Sequence, residues 1–458
     1  METLKSIFRV ASANIFSLGS SFILGFILPI YISTFDYGKY KEFTLYLTFI
    51  YIFNIGFNDG IYIKYGGSNK FDLNLSELNS EVKFIKTFQT VMFVAVLAFA
   101  LLKQDIVLLY FSIATFLMNL IQFHKNLLQA IGEFKDYSKL NMYNTIFNVL
   151  MMIIAIFLVS RNDYSVYIFA HVFALLLAYI FYEINFRKTF NFKKEKVRKL
   201  SAEDIYHLFK VGIVILLSNM IVTFIANIGS WFVNFGFSTE EFAQYSFSTS
   251  LLNIILLVVN AISLVFYNLI AKKEDQEMLI NLKKILLLIG CFGGLGFFVF
   301  SFIITNYISK YVPALAILSI TFISIPYIME SNVIFNNIYK TRNNKKQYLK
   351  DMLVFLAIAI TLIAITSSIS SKMEHIAMAT TLSYLIWYFI VTNFKYRYLR
   401  DGIKESIFIL SHIIIFYICA NLLSLPIGFI SYFLYVCVIL LLYKKELSEM
   451  VSKYMRQA

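Results

Sequence analysis

The chain has 458 residues, of which 59% are hydrophobic and only 15% are charged. Soluble domains carry roughly 25% charged residues, so this composition excludes an ordinary soluble fold. The net charge of +13 is common among nucleic-acid-binding proteins, but here the basic residues lie in short segments between apolar runs, and we expect no nucleic-acid partner.

Apolar runs fill the chain almost from end to end. A helix that spans a bilayer needs about 20 mostly apolar residues. We therefore predict an all-α integral membrane protein with about 14 transmembrane helices. The first seven predicted spans lie at 10–34, 43–65, 86–102, 106–123, 141–159, 165–186 and 208–235. The other seven lie at 241–270, 283–304, 312–336, 350–370, 375–394, 406–424 and 426–443.

The distribution of basic residues orients these spans. An even number of spans places both termini on one side of the membrane. About 34 of the 40 Lys and Arg residues lie in segments on that side. Because cytoplasmic loops are enriched in Lys and Arg, both termini are predicted to be cytoplasmic.

The two halves of the chain are weakly similar in sequence at matched positions. The connector after the fourth span reads NLLQAIGEFKDYSK (126–139), and the connector after the tenth reads NIYKTRNNKKQYLK (337–350). A second match aligns Tyr40 with Tyr245, near the start of the second and eighth spans. Because spans of equal orientation match, we predict two pseudo-symmetric six-helix lobes with two appended helices, a plan common among transporters. The predicted domains are an N-lobe at 1–200, a C-lobe at 201–400 and a C-terminal segment at 401–458.

Polar side chains recur on one face of the first, second, seventh and eighth spans. In the seventh span, Asn219, Asn227 and Asn234 are separated by seven or eight residues, which is helical spacing. One interpretation is a water-filled central cavity whose amides and hydroxyls bind sugar hydroxyls. The alternative is that small polar residues hold helices together. The cavity candidates are Arg9, Asn14, Tyr51, Asn58, Asp59, Lys64, Lys210, Asn219, Asn227, Asn234, Asn253, Asn260 and Tyr267.

Ionisable side chains inside the predicted spans are few, and each is a candidate for function. His171 in the sixth span and Glu330 in the tenth are candidates for ion coupling, because both side chains can change protonation. The alternative for His171 is a hydrogen bond between helices. Arg9 and Lys210 begin the first and seventh spans, where they would either anchor lipid headgroups or attract a phosphate group.

The sequence predicts no metal site and no organic cofactor. Cys291, Cys419 and Cys437 lie in apolar runs without CxxC spacing, and the five histidines are scattered. Neither HExxH nor GxSxG nor DxD occurs. We therefore expect a transporter and not an enzyme, and a membrane polymerase or transferase is the less favoured alternative.

Five segments resemble one family when they are taken in chain order. They are GFNDGIYIKYGG (56–67), QAIGEFKDYS (129–138), STEEFAQYSFSTSLLNI (238–254), IYKTRNNKKQYLK (338–350) and ATTLSYLIWY (379–388). The family is that of the O-antigen and capsular polysaccharide repeat-unit flippases, within the multidrug/oligosaccharidyl-lipid/polysaccharide exporter superfamily. The chain departs from it at NIGSWFVN (227–234), where family members often carry an Asp and an Arg.

The resemblance implies a fold like that of the multidrug and toxic compound extrusion (MATE) transporters. It implies that an undecaprenyl-pyrophosphate-linked oligosaccharide crosses the bacterial inner membrane by alternating access, coupled to an H⁺ or Na⁺ gradient. The partners implied are the lipid-linked substrate, membrane lipids, and the polymerase and chain-length proteins of polysaccharide synthesis. The alternative function for the same fold is an ion-coupled exporter of small molecules or drugs.

Overall fold

The structure is a computed structural model, and it describes residues 23–159, 163–190, 200–272, 275–342 and 345–444. These residues form helices joined by short connections. Most of the first predicted span, together with the candidates Arg9 and Asn14, lies outside the described residues.

The α-helices are numbered in chain order. The first eight are α1 Leu28–Tyr31, α2 Thr34–Leu47, α3 Phe57–Lys64, α4 Leu75–Lys103, α5 Ile106–Ala130, α6 Phe134–Ile154, α7 Tyr164–Thr189 and α8 Ala202–Gly236. The following helices are α9 Thr239–Lys272, α10 Gln276–Gly293, α11 Leu295–Tyr307, α12 Ala314–Phe322, α13 Ile325–Glu330, α14 Asn336–Thr341, α15 Lys345–Ile369, α16 Met373–Ile390, α17 Ile403–Asn421 and α18 Leu425–Leu442. Wider π-helical turns lie at Ile23–Ile27, Ala155–Val159, Ser331–Phe335 and Val391–Lys395, and 3₁₀ turns lie at Ile50–Asn54, Ser309–Tyr311 and Arg397–Leu399.

Polar residues at the connections fix where several helices begin. The side chain of Asp105 accepts a hydrogen bond from the backbone N–H of Val107 at 2.7 Å, and Asn74 accepts one from Glu77 at 3.2 Å. Asp163 and Asp275 cap α7 and α10 in the same way. Each cap satisfies a backbone donor that the first turn of a helix leaves free.

The described residues confirm an all-α membrane fold but not the number of spans. Ten helical stretches are long and apolar enough to cross a membrane, and an eleventh would be α12 with 325–339, which are bent by 53°. The predicted total of 14 is therefore not confirmed. One physical reason is that the second predicted span is not a continuous helix, since its backbone leaves helical geometry between Leu47 and Phe57.

Large apolar side chains cover the outside of the helices. Val91 is 60% exposed, Leu410 60% and Leu441 69%. In water such a surface would drive aggregation, whereas in a bilayer it contacts lipid tails at no cost. The exposed surface therefore agrees with the span assignment, and the chain is a multi-pass membrane protein.

The chain divides into two compact units, residues 1–227 and residues 228–458. The core of the first unit is a cluster of buried side chains from α3, α4, α5 and α7, including Phe57, Leu78 and Leu127. A buried cluster of the second unit joins α10, α17 and α18 around Leu287 and Phe408. The lobe limits predicted at 200 and 400 remain predictions.

Candidate functional site

The break in the second predicted span is built from unusual backbone geometry. A 3₁₀ turn covers Ile50–Asn54, and the next two residues, Ile55 and Gly56, have φ angles of +50° and +87°. Irregular backbone at membrane depth is tolerated only where protein or water satisfies its polar groups. The break must therefore be supported by side chains.

Buried amide side chains supply that support in the first unit. Asn119 Nδ2 donates to the carbonyl oxygen of Ile50 at 3.2 Å, and Gln89 Nε2 donates to the carbonyl oxygen of Phe53 at 3.0 Å. Asn54 bridges to the Asn119 side chain at 3.2 Å. The buried amides of Asn54, Gln89 and Asn119 thus support the backbone at the break.

Three glycines bring α3 and the first half of α8 into backbone contact. A Cβ atom on Gly212 would lie 1.9 Å from the carbonyl oxygen of Gly56, and one on Gly60 would lie 2.3 Å from that of Leu208. Neither distance is compatible with a side chain, so only glycine allows this approach. The glycines of the GFNDG segment therefore have a packing role.

Asn58 and Asp59 follow this crossing. Asn58 is fully buried, and its Nδ2 donates to the backbone carbonyl oxygen of Asn119 at 2.9 Å. Asp59 is half-buried and makes no hydrogen bond or ion pair with any described residue. The side-chain oxygen of Asn58 has no hydrogen-bond partner among the described residues, so both candidates keep a polar group for a ligand or water.

The basic candidates Lys64 and Lys210 are exposed. Lys64 pairs with Glu77 at 2.6 Å and with the buried Glu81 at 2.5 Å. The Lys210 ammonium lies 5.8 Å from the centre of the Tyr206 ring. Lys64 is thus engaged with carboxylates, whereas Lys210 contacts an aromatic face.

The remaining candidates differ in exposure. Tyr51, Asn227 and Asn234 are half-buried, and Asn219 and Asn253 are exposed. Asn227 Nδ2 donates to the backbone carbonyl oxygen of Thr223 at 2.9 Å. The side chains of Asn260 and Tyr267 lie outside the described residues. Whether these residues line one cavity remains a prediction.

His171 contacts the second predicted span. Its Nδ1 lies 3.1 Å from the hydroxyl of Tyr40, and its ring packs edge-on against Phe43 with centroids 5.6 Å apart. This geometry favours an interhelical hydrogen bond for His171. Its role in ion coupling remains a prediction.

The two units contain equivalent asparagine–carbonyl hydrogen bonds at aligned positions. Asn126 Nδ2 donates to the carbonyl oxygen of Asn58 at 2.9 Å, and Asn337 Nδ2 donates to that of Ser263 at 2.9 Å. Asn126 and Asn337 are the first residues of the two aligned connectors. The acceptors also match, because the alignment that pairs Tyr40 with Tyr245 pairs Asn58 with Ser263. The matched bonds support the predicted repeat.

A second matched contact involves the paired tyrosines. Tyr40 bonds His171 on α7, whereas Tyr245 on α9 is hydrogen-bonded to Thr380 on α16. Gly229 leaves room for the Tyr245 hydroxyl, which would lie 2.0 Å from a Cβ atom there. Each unit therefore ties its tyrosine-bearing helix to a later helix of the same unit.

A further set of polar side chains inside the first unit was not predicted from the sequence. The side-chain oxygens of Asn144 and Asn148 on α6 and the hydroxyl of Tyr182 on α7 are buried without a hydrogen-bond partner among the described residues. Lys125 on α5 is half-buried and forms no ion pair or hydrogen bond with a described residue. The spacing of Tyr137, Asn144 and Asn148 on one face of α6 was the available signal.

The second unit contains a buried lysine, Lys283, whose ammonium has two hydrogen-bond acceptors. Lys283 on α10 is only 2% exposed, pairs with Asp401 at 2.5 Å and donates to the carbonyl oxygen of Leu399. The hydroxyl of Tyr388 lies 2.8 Å from both carboxylate oxygens of Asp401. A fully buried carboxyl group, Glu330, lies beside this cluster.

Within the described ranges, no group of three or more His, Cys, Asp or Glu residues could hold a metal ion. The cysteines Cys291 and Cys419 are buried and unpaired, and Cys437 is half-buried. The polar groups described above are amides, hydroxyls, ion pairs such as Lys64–Glu81 and Lys283–Asp401, and the side chains of Asp59 and Lys125, which are unpaired among the described residues.

The fold and the polar interior define a multi-pass helical membrane protein. No protein-family model matches the chain, and no curated protein matches it. Solved structures do match. The lipid II flippase MurJ, in an inward-closed conformation, aligns with a TM-score of 0.68 and 12% identity over 96% of this chain and 99% of that chain.

Multidrug-resistance transporters are also similar. A MATE-family transporter of the MOP superfamily in the outward-facing conformation aligns with a TM-score of 0.56 and 12% identity, covering 89% of this chain and 96% of that chain. An inward-facing MATE structure aligns with a TM-score of 0.53 and 11% identity, covering 85% and 92%. At these identities the likeness establishes the fold, and the predicted MATE-like fold is confirmed.

Proposed function

We propose that this protein is a flippase that moves an undecaprenyl-pyrophosphate-linked oligosaccharide across the bacterial inner membrane by alternating access. The observation that carries the proposal is the set of buried side-chain oxygens inside the first unit that lack hydrogen-bond partners among the described residues. Buried oxygens without partners cost free energy, roughly 1–3 kcal/mol each, unless a ligand or water satisfies them. Sugar hydroxyls are suitable partners for the Asn144, Asn148 and Tyr182 oxygens.

The charge of the first unit suits the pyrophosphate part of such a substrate. Lys125 is half-buried without a carboxylate partner among the described residues. A lysine ammonium binds phosphate as a compact positive charge. Lys210, and Arg9 outside the described residues, are the other proposed phosphate contacts. The fold agrees with this function, since the MurJ structure it resembles over nearly its whole length is named as a lipid flippase.

The experiment is leaflet-resolved detection of lipid-linked repeat units in a deletion strain. We expect the units to accumulate on the cytoplasmic leaflet and the surface glycan to disappear, with recovery on complementation. A normal surface glycan in the deletion strain would contradict the proposal. Purified protein in proteoliposomes should translocate the lipid-linked oligosaccharide and leave a small cationic dye where it is.

Export of a small molecule or drug is the second candidate. The MATE structures share the fold, and the buried Glu330 is an acid that a cation exporter would use. Dye efflux by the proteoliposomes, without movement of lipid-linked sugar, would favour this function over the first.

A further inference from the structure

Glu330 lies in an irregular helical segment of the second unit. It is the last residue of α13, which begins after the 53° bend from α12. The π-helical turn Ser331–Phe335 follows it directly. Such turns insert an extra residue into a helix and often mark functional positions.

A tight contact holds this segment against α10. A Cβ atom on Gly290 would lie 2.5 Å from Pro326 Cα, so the two backbones touch at that point. Lys283 lies two turns earlier on α10. The contact therefore fixes Glu330 and Lys283 on adjoining helices.

The carboxyl group of Glu330 has no hydrogen-bond partner among the described residues. Its side chain is 0% exposed, and neither Oε1 nor Oε2 is hydrogen-bonded to a described residue. The hydroxyl of Tyr327, one turn earlier and 1% exposed, is also without a partner in this part of the chain. The charged groups that act on Glu330 are Lys283 on α10 and Asp401 after the Arg397–Leu399 turn. The titratable hydroxyl of Tyr388 on α16 also faces it.

The charges of this cluster balance only if Glu330 is neutral. Lys283 and Asp401 cancel each other, and Asp401 is further satisfied by the Tyr388 hydroxyl. An ionised Glu330 would add an uncompensated negative charge in a buried, membrane-embedded position, which is strongly unfavourable. A bound proton neutralises the carboxylate and adds almost no volume to this buried position.

A metal ion fits the cluster less well than a proton. The positive charge of Lys283 is close enough to act electrostatically on Glu330 and would repel a second cation. Within the described ranges, Glu330 also belongs to no group of three His, Cys, Asp or Glu residues that could hold a metal ion.

We propose that Glu330, Lys283, Asp401 and Tyr388 form a proton-binding site in which Glu330 carries the proton. When the proton leaves, the new carboxylate competes with Asp401 for the Lys283 ammonium. Proton occupancy therefore selects between a Lys283–Asp401 pair and a Lys283–Glu330 pair. The first pair ties α10 to the segment before α17, and the second ties α10 to the bent α13, so the proton controls which elements are linked. This inference does not depend on which substrate the protein carries.

The test is infrared spectroscopy of the full chain in lipid, which detects the carbonyl stretch of a protonated carboxyl group. We expect the wild type to show such a band at neutral pH, shifted in D₂O, and Glu330→Gln to lack it. Glutamine has the shape of the protonated acid, so this variant should fold. The exposed Glu240 provides the control, because Glu240→Gln should keep the band.

A second variant tests the competition for Lys283. In Asp401→Asn the ammonium loses its partner and is free to stabilise an ionised Glu330, so the band should vanish at a lower pH than in the wild type. An unchanged band in Glu330→Gln, or an unchanged pH dependence in Asp401→Asn, would overturn the proposal. Loss of the wild-type band on adding Na⁺ at constant pH would overturn it in favour of a sodium site.

Discussion

At the scale of single residues, removing the charge of Lys125 is the most direct test of the proposed substrate. We expect Lys125→Met, which keeps the aliphatic stem, to lower the rate of translocation of lipid-linked oligosaccharide about tenfold. A charge-assisted hydrogen bond is worth about 1.5–3 kcal/mol, and 1.4 kcal/mol corresponds to a factor of ten. The measurement is translocation in proteoliposomes at equal protein content.

The exposed Lys372 provides a matched control for that experiment. Lys372→Met removes one positive charge from a connection before α16, where the side chain faces the surrounding medium. Its translocation rate should equal that of the wild type. Equal losses in both variants would show that Lys125 acts only through the total charge of the protein.

At the scale of helices, the contact between α3 and α8 depends on the absence of a side chain at Gly212. We expect Gly212→Ala to lower the thermal stability of the purified protein, because the added Cβ would lie 1.9 Å from the Gly56 carbonyl oxygen. Overpacking of this kind costs about 1–3 kcal/mol. Thermal unfolding in detergent measures the effect.

Gly236, on the same helix, is the control for that substitution. A Cβ atom there meets nothing within 4 Å, and no positive φ angle is found at this glycine. Gly236→Ala should therefore leave the stability unchanged. If both variants behave alike, the close approach of α3 and α8 is not what limits substitution at Gly212.

The asparagines Asn126 and Asn337 test the repeat at the same scale. Each donates to a carbonyl oxygen of the second or eighth predicted span. We expect Asn126→Leu and Asn337→Leu to lower the unfolding temperature by similar amounts, since each leaves one buried acceptor without its donor. The exposed Asn306→Leu should have a much smaller effect, and a large difference between the first two variants would count against equivalent roles.

At the scale of the whole molecule, the alternation of spans predicts opposite locations for two exposed connections. Phe71 is 87% exposed and Tyr307 is 71% exposed. In a background where the three native cysteines are serine, Tyr307→Cys should react with a membrane-impermeant maleimide on spheroplasts. Phe71→Cys should react only after the membrane is opened. The reverse labelling would show that the predicted orientation is inverted.

The helices themselves could be predicted closely from the sequence. The apolar run at 106–123 lies within α5 and the run at 165–186 within α7, because hydropathy and helix caps act over neighbouring residues. The second predicted span was less accurate. Its apolar composition does not predict the backbone turn at Gly56, because that turn depends on side-chain amides from α4 and α5.

The candidate site was predicted less completely than the helices. The polar face of the second span was recognised, but Asn58 is engaged with Asn119, and Lys125 and Tyr182 were not singled out. Which polar groups keep a free hydrogen-bonding atom depends on partners 60 or more residues away. No local pattern carries that information.

The sequence by itself determined that this is a helical membrane protein and where most of its helices lie, because the bilayer imposes length and hydropathy on each span separately. Only the tertiary structure decided that Gly56 meets Gly212, that matched asparagines bind matched carbonyls, and that Glu330 is buried beside a neutral Lys283–Asp401 pair. Those facts arise from distant segments brought together, and the free energy of a buried polar group depends on its neighbours in space.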